Sequence, residues 1–431
     1  MIIKPSLIRY YMILWLIIPL LPCVSAAQQQ SSENGQRVQK AIDLALENNP
    51  GLNRFREQIR AQQAQWLSSF GLKSPEIMYT REGLGAGVAS GFTQERWTIS
   101  QTLEFPVAPY YRRNRIDAEV AAFEKRLERE RRVVKAEVKT YYTQLAYGVE
   151  ILNLRHEQRA IANTLTRAVS TLVKVGDASG LDLMRADILL AEAENDVSEA
   201  KRVLQQAQQT FYNTLGIDPD NQQYDLQLPD TLMYVNIELT RKEALVRLDD
   251  HPEMAAMSHD LQAKRLGIRE AWGHLWPNVT VKYFRQNFGP GAKFNGVEFG
   301  LSLPLWYPLE HRGRIQASRA FHAETTWRQQ EVRLDLKRQF ELAWNEYNTS
   351  RQQILRHRER IQMQSQSLMA LTIEGYEVGE LDLISLLDVQ RTYLNSQKRY
   401  LDTLRDYYFR LITLERLMNR ELVFISTKTE N

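Results

Sequence analysis

Seven histidines carry the widest chemical reach in this chain: His156, His251, His259, His274, His311, His322 and His357. Neutral imidazoles ligate transition metals, but a site needs several donors converging on one point. Here the histidines are scattered. His251 and His259 lie eight apart and would face similarly on a helix, yet no carboxylate-rich set closes around them. The sequence therefore predicts surface histidines and no metal site. Nothing pairs a base with a nucleophile, and no Gly-rich phosphate loop, metalloprotease helix or nucleophile elbow occurs. An enzyme is the weakest reading, and no cofactor is called for. Lys125, Arg126, Arg129, Arg131, Arg132 and Lys135 are interleaved with Glu124, Glu128 and Glu130, the pattern of a solvated helix face and not of a nucleic-acid patch.

The elements behind these residues are written twice. Asn49-Pro50-Gly51-Leu52 answers His251-Pro252-Glu253-Met254, and Pro75 answers Pro277. Phe105-Pro106 matches Leu303-Pro304, and Pro109 with Arg113-Asn114-Arg115-Ile116 matches Pro308 with Arg312-Gly313-Arg314-Ile315. Val175-Gly176 matches Val378-Gly379, with Leu181 over Ile384 and Leu183 over Leu386. The spacing stays between 198 and 203 residues, so an ordered series marks an internal duplication. The repeats run over 38–220 and 240–425, joined by a linker at 221–239.

Each repeat predicts the same parts. A helix of about 30 residues comes first, at 38–70 and 240–272. Two strands follow, at 76–82 with 96–104 and at 278–284 with 297–303. Then comes a very long helix, a short turn and a returning helix, the latter at 181–215 and 380–420. Arg314 to Glu374 contains neither Gly nor Pro, and 112–174 contains only Gly148. Those 61 residues from Arg314 make a rod of about 90 Å. The initial and returning helices, stacked end to end, would match such a rod. Ile151, Leu154, Ile161, Leu165, Val169, Leu172 and Val173 keep helical spacing, as do Leu386, Val389, Tyr393 and Leu394.

The strands alternate. Trp97, Ile99, Leu103 and Phe105 take one parity and Thr98, Ser100, Thr102 and Glu104 the other; Val297, Phe299, Leu301 and Leu303 repeat the apolar parity. An antiparallel sheet then has one apolar and one wet face. A half-buried soluble sheet would do the same. Aromatics at the strand ends (Tyr79, Trp97, Phe105, Tyr110, Tyr111, Trp306, Tyr307) and Gly-rich loops at 83–91 and 289–296 favour a lipid-facing barrel. Four strands cannot close a barrel, so copies of the chain must pool theirs, and three would supply twelve.

Composition bounds the rest. The chain has 431 residues, 25% of them charged, with 55 Lys+Arg against 52 Asp+Glu and a net charge of +3. Its mean hydropathy of −0.44 excludes a polytopic helical membrane protein, and its small net charge does not mark a nucleic-acid binder. Gly (20) and Pro (14) are few, which favours long helices. Lys4 and Arg9, the apolar stretch from Tyr10 to Leu21 and then Val24-Ser25-Ala26-Ala27 read as a signal peptide over 1–26, cut after Ala26. Cys23, the only cysteine, ends a Leu-x-x-Cys pattern of the kind that is lipidated, but Pro22 stands where that signal wants a small residue.

With these features the sequence resembles the TolC-like outer-membrane efflux channels over 38–425. The resemblance rests on the duplication, the two strand-to-helix junctions, the paired Val-Gly turns and the run Glu374-Gly375-Tyr376-Glu377-Val378-Gly379-Glu380-Leu381-Asp382-Leu383-Ile384-Ser385-Leu386-Leu387-Asp388. The compact length and short termini look most like the CzcC-type branch, which serves heavy-metal exporters of the resistance-nodulation-division kind. The resemblance implies a mainly α chain with a transmembrane β-barrel in the outer membrane of a Gram-negative bacterium. A homotrimer would form a 12-stranded barrel and a periplasmic α-helical tunnel, docked on a periplasmic adaptor and an inner-membrane pump. A periplasmic coiled-coil adaptor or scaffold without a barrel is the alternative, and within the channel reading multidrug export and type I protein secretion stay open.

The resemblance also assigns residues. One carboxylate per protomer becomes a ring around the axis of a trimer, which attracts cations. Asp388 falls on one of the family's acidic constriction positions; Ser385 occupies the other, and Asp382 or Glu380 could replace it. Asp382 equally suits a helix N-cap. Tyr376 and Asp182 match a hydrogen-bonded latch between the two tips, whose supporting Arg is Leu381 here. Val175, Gly176, Leu181, Val378, Gly379 and Leu381 match adaptor-contacting tips. Leu181, Leu183, Leu381 and Leu383 fit either such a contact or packing within the tunnel wall.

Overall fold

The computed structural model describes residues 22–84, 92–176, 178–218, 229, 231–289, 291–303, 310–377 and 380–423, with backbone alone for 22–34. Val378, Gly379, Trp306, Tyr307, residues 1–21 and, in the linker, 221–228 and 230 lie outside them.

The initial helix of each repeat is broken where a proline demands it. α1 (Pro22–Asn48) and α2 (Pro50–Ser68) flank Asn49, and α5 (Arg241–Val246) and α6 (Pro252–Gly273) flank His251. A residue before proline avoids helical backbone, while proline itself suits the first helical position. His251 is extended (φ −68°, ψ 136°) and its Nδ1 accepts the Glu253 N–H at 3.2 Å, capping α6. It is buried, and so is His357, which corrects the expectation that all the histidines lie on the surface.

β1 (Glu76–Glu82) and β2 (Gln94–Leu103) lead into α3 (Val107–Val175), 69 residues without a break, and α4 (Gly180–Leu215) returns. β3 (Asn278–Asn287) and β4 (Lys293–Ser302) lead into α7 (His311–Arg356). Here the expected single rod is interrupted. A π-turn, His357–Ile361, separates α7 from α8 (Gln362–Glu377), and α9 (Leu383–Met418) returns. The spacing between equivalent positions explains it. It grows from 199 residues at Arg113 and Arg312 to 203 at Val175 and Val378, so the second rod holds extra residues. A π-turn takes up an added residue without ending the helix.

Contacts divide the chain into two compact units, each drawing on both repeats. One comprises 50–132 and 242–339. Its sheet runs β1-β2-β3-β4, antiparallel throughout, and the β2–β3 pairing joins the two repeats. Tyr79 lies opposite Trp97, Ile99 opposite Tyr283, and Val281 opposite Phe299, so the apolar parities coincide on one face. That face is bare: Phe299 is 76% exposed, and Leu301 and Ile77 are each 67% exposed. Gln101 falls on it, and its side-chain amide is satisfied by the Lys73 and Thr102 carbonyls. The other face pairs Thr102 with Thr280 and sets Glu298 between Arg96 and Lys282. Gly296 gives room there to Phe284, whose ring would lie 2.4 Å from any added Cβ. Below the strands, Arg112 bridges Glu104 (3.0 Å) and Glu270 (2.9 Å), and Arg115 bridges Glu270 and Glu119 (2.8 Å each).

The second unit comprises 1–49, 133–241 and 340–431. Its core packs Tyr142 and Leu145 of α3, Phe211 of α4, Phe340 of α7 and Leu411 of α9. Buried Lys139 pairs with Glu415, which accepts the Leu422 and Val423 N–H groups and so fastens the segment after α9. Residues 231–239 form neither helix nor strand. Hydroxyls of Tyr408, Tyr407 and Tyr347 donate to the Met233, Val235 and Ile237 carbonyls and hold this stretch as a strap.

Candidate functional site: the paired helix tips

Within the second unit the two helical hairpins turn around beside one another. Leu165 and Val169 of α3, Ala186 of α4, and Leu383 and Leu386 of α9 form one buried cluster, with Val173, Leu183, Tyr376 and Leu387 packed against it. The four tip leucines, ambiguous in sequence, are thereby separated. Leu383 is 7% exposed and Leu183 joins the same cluster, so both pack the wall. Leu181 is 57% exposed and Leu381 40%. Val175 is exposed beside Gly176, whose φ of 90° is left-handed backbone that an L side chain rarely adopts.

Each returning helix is capped. Ser179 accepts the Asp182 N–H, and the Asp182 carboxylate reaches back to the Ser179 N–H and hydroxyl, completing a capping box. These bonds from Ser179 hold the Asp182 carboxyl below the usual range, with Arg185 at 3.7 Å adding to the effect. Asp382 caps α9 by accepting the Ser385 N–H at 2.8 Å, which lowers its own carboxyl in the same way. Glu380 is exposed, its N–H bonded to the Gly375 carbonyl at 2.9 Å.

The Tyr376 hydroxyl is raised by burial and then by the Asp182 charge, so the two tips sense each other within one chain. No hydrogen bond joins them among the described residues. Asp388 is exposed on α9 and borders a groove of about 400 Å³ with Arg155, Gln158, Leu189, Ile384 and Arg391. Arg155 also meets Asp196 at 3.1 Å, and Tyr393 donates to Glu157 at 3.0 Å, tying α9 to α3. Chemically this is a helical surface on which Asp388 is set beside Arg155 and Arg391, and among the described residues no three His, Cys, Asp or Glu converge to hold a metal.

The model of the family described as "Outer membrane efflux protein" matches residues 41–217 and 246–420. The chain belongs to that family. An outer membrane efflux protein of this kind lies in the outer membrane of a Gram-negative cell with a large periplasmic helical part, and it is a channel. Among curated proteins it is similar to the cobalt-zinc-cadmium resistance protein CzcC of Cupriavidus metallidurans, 23% identical over 290 residues that cover 67% of this chain and 68% of that one. Its fold is that of the outer-membrane channel OprN (TM-score 0.78, 18% identity, 91% of this chain and 92% of that one) and of CusC (TM-score 0.75, 14% identity, 90% and 92%). No helix among the described residues of this efflux protein is long and apolar enough to cross a membrane.

Two tip residues escape a reading by family position. Arg185 supports Asp182 from one turn along its own helix, the spacing that makes side chains neighbours and the one signal that could have exposed it. Arg391, one turn beyond Asp388 in this efflux protein, puts a cation beside the expected acidic position.

Proposed function

We propose that three copies of this chain close a twelve-stranded barrel and form the outer-membrane duct of a tripartite export system, working with a periplasmic adaptor and an inner-membrane pump of the resistance-nodulation-division kind. The single observation that carries this reading is the sheet. Its β2, β3 and β4 strands are 10 residues each, the length of a membrane-spanning strand. One face is apolar and uncovered, and among the described residues β1 and β4 have no outer neighbour. Unpaired edges and bare apolar surface are both costly, and closure with copies in lipid removes both. Heavy-metal cations are the proposed cargo, supported by the likeness to a cobalt-zinc-cadmium resistance protein.

In this reading the tips gate the duct. Asp388, with Asp382 and Glu380 near it, offers carboxylates to passing cations, and Tyr376 opposite Asp182 is the latch. Val175, Gly176, Leu181 and Leu381, with Val378 and Gly379, form the adaptor-facing rim. Two tests apply. Outer-membrane fractions should contain a species that migrates as a trimer unheated and as a monomer after boiling; a monomer soluble without detergent refutes the barrel. A deletion strain should lose tolerance to zinc, cobalt or cadmium salts and regain it on complementation; unchanged tolerance to all three refutes the cargo.

A further inference from the structure

The second hairpin contains a device that the first lacks. At the π-turn the Gln362 N–H bonds the His357 carbonyl, five residues back. His357 is 6% exposed, and its ring stacks on Tyr400 of α9 with centroids 4.6 Å apart and planes 18° from parallel. Its Nε2 is buried without a hydrogen-bond partner. An orphaned polar atom in a π-turn costs free energy in the packed state, and π-turns are where helices bend. In the first repeat His156 stands within unbroken α3 and is only half-buried.

We propose that the His357–Ile361 turn is a hinge for the arm that carries Tyr376, and that protonation of His357 releases it. Charging the ring puts an imidazolium in a dry pocket, so the pocket must open to water. The facing groups offer little compensation. Tyr400 presents its ring from α9. Around that ring stand Arg358 of the turn, Glu150 of α3 and Tyr234 of the strap, with the Arg358 guanidinium lying over the Tyr234 ring. The Glu150 carboxyl is pushed up by burial and already accepts the Leu232 N–H at 3.2 Å, so it is engaged by the strap. Above the hinge the base is fixed, because the tyrosine hydroxyls of α7 and α9 clasp the strap. Below it, α8 runs directly to the second tip.

The sign follows from linkage. Burial depresses the His357 imidazole below its ordinary 6.5, so the packed hinge is fully stable above that pH and loosens as pH falls through it. One proton allows a change of at most about tenfold per pH unit. The measurement is amide hydrogen exchange of the full chain in detergent from pH 7.5 to 5.5, corrected for intrinsic rates. Protection over 357–377 should fall by up to about tenfold per unit below about 6.5, while 156–175 of α3 stays level. His357→Phe, which keeps a stacking ring, and His357→Gln, which keeps a polar group, should both abolish the fall. A level wild-type profile overturns the proposal, and so does a fall shared by both variants. The proposal extends the channel reading, and bilayer recordings separate the two. A protein that opens no pore at any pH refutes the channel, whereas the exchange profile decides the hinge.

Discussion

The two helical hairpins come from one duplicated plan and have diverged in how they bend. α3 runs 69 residues without interruption, and α4 leaves its tip through a reciprocal Ser179–Asp182 box. Its counterpart is cut by a π-turn, and α9 starts from Asp382, whose side chain makes the cap alone. The first hairpin is a stiff post, and the second is a post with a joint. A few added residues suffice to produce the joint, because helical phase must be restored somewhere and a π-turn restores it at one site.

Several substitutions would break or sharpen this contrast. The largest effect should come from Leu386→Ala, which empties a site shared by both hairpins and costs about 2–5 kcal/mol of local stability. Amide protection should drop in α9 and in the packed part of α3 together; Leu181→Ala, at an exposed position, should change either by no more than about 0.5 kcal/mol. Ser179→Ala comes next, at about 1 kcal/mol, fraying the start of α4 and leaving α9 untouched. Asp382→Ala should do the reverse, with faster exchange confined to the first turn of α9.

Acid should separate the hairpins as well. The Asp182 carboxyl is lowered by Ser179, so the first cap holds above the ordinary carboxylate value and fails only as pH falls through its depressed one. The second hairpin should loosen from about pH 6.5 through His357. Exchange at pH 5.5 therefore finds α4 capped and the protection of α8 reduced by at most about tenfold relative to pH 6.5; equal behaviour of the two erases the contrast. Smaller effects belong to the pore. Tyr376→Phe should raise the leak of large polar solutes without unfolding the tip, read as single-channel conductance. Asp388→Asn should lower the preference for cations over anions, read as a reversal potential, and Arg391 beside it keeps that change modest.

Much of this was legible in the residues. The alternation around Trp97 and Ile99 and around Val297 and Phe299 placed the strands, because side-chain parity in a sheet is set by the chain itself. β2 begins two residues earlier than its pattern, at Gln94, and β3 and β4 also run longer. Asn49-Pro50 and His251-Pro252 were seen as markers of the repeat, and their physical meaning as helix breaks was equally readable. The tip leucines were not. Leu181 and Leu183 are alike in sequence, and only the neighbour α9 decides that one packs and the other stays bare.

The amino-acid order by itself determined the duplication, the strand parities, the unbroken span of α3 and the suitability of Asp382 as a cap. The duplication shows as matches about 200 residues apart, whereas parity, helical span and capping depend on residues within a few positions of each other, where propensity, proline geometry and periodicity act directly. Tertiary structure alone decided that His357 is buried against Tyr400, that three tyrosines clasp the strap, and that Tyr376 feels Asp182. Burial and charge at those sites are set by groups many residues away in the chain, and no local pattern encodes which of them arrive.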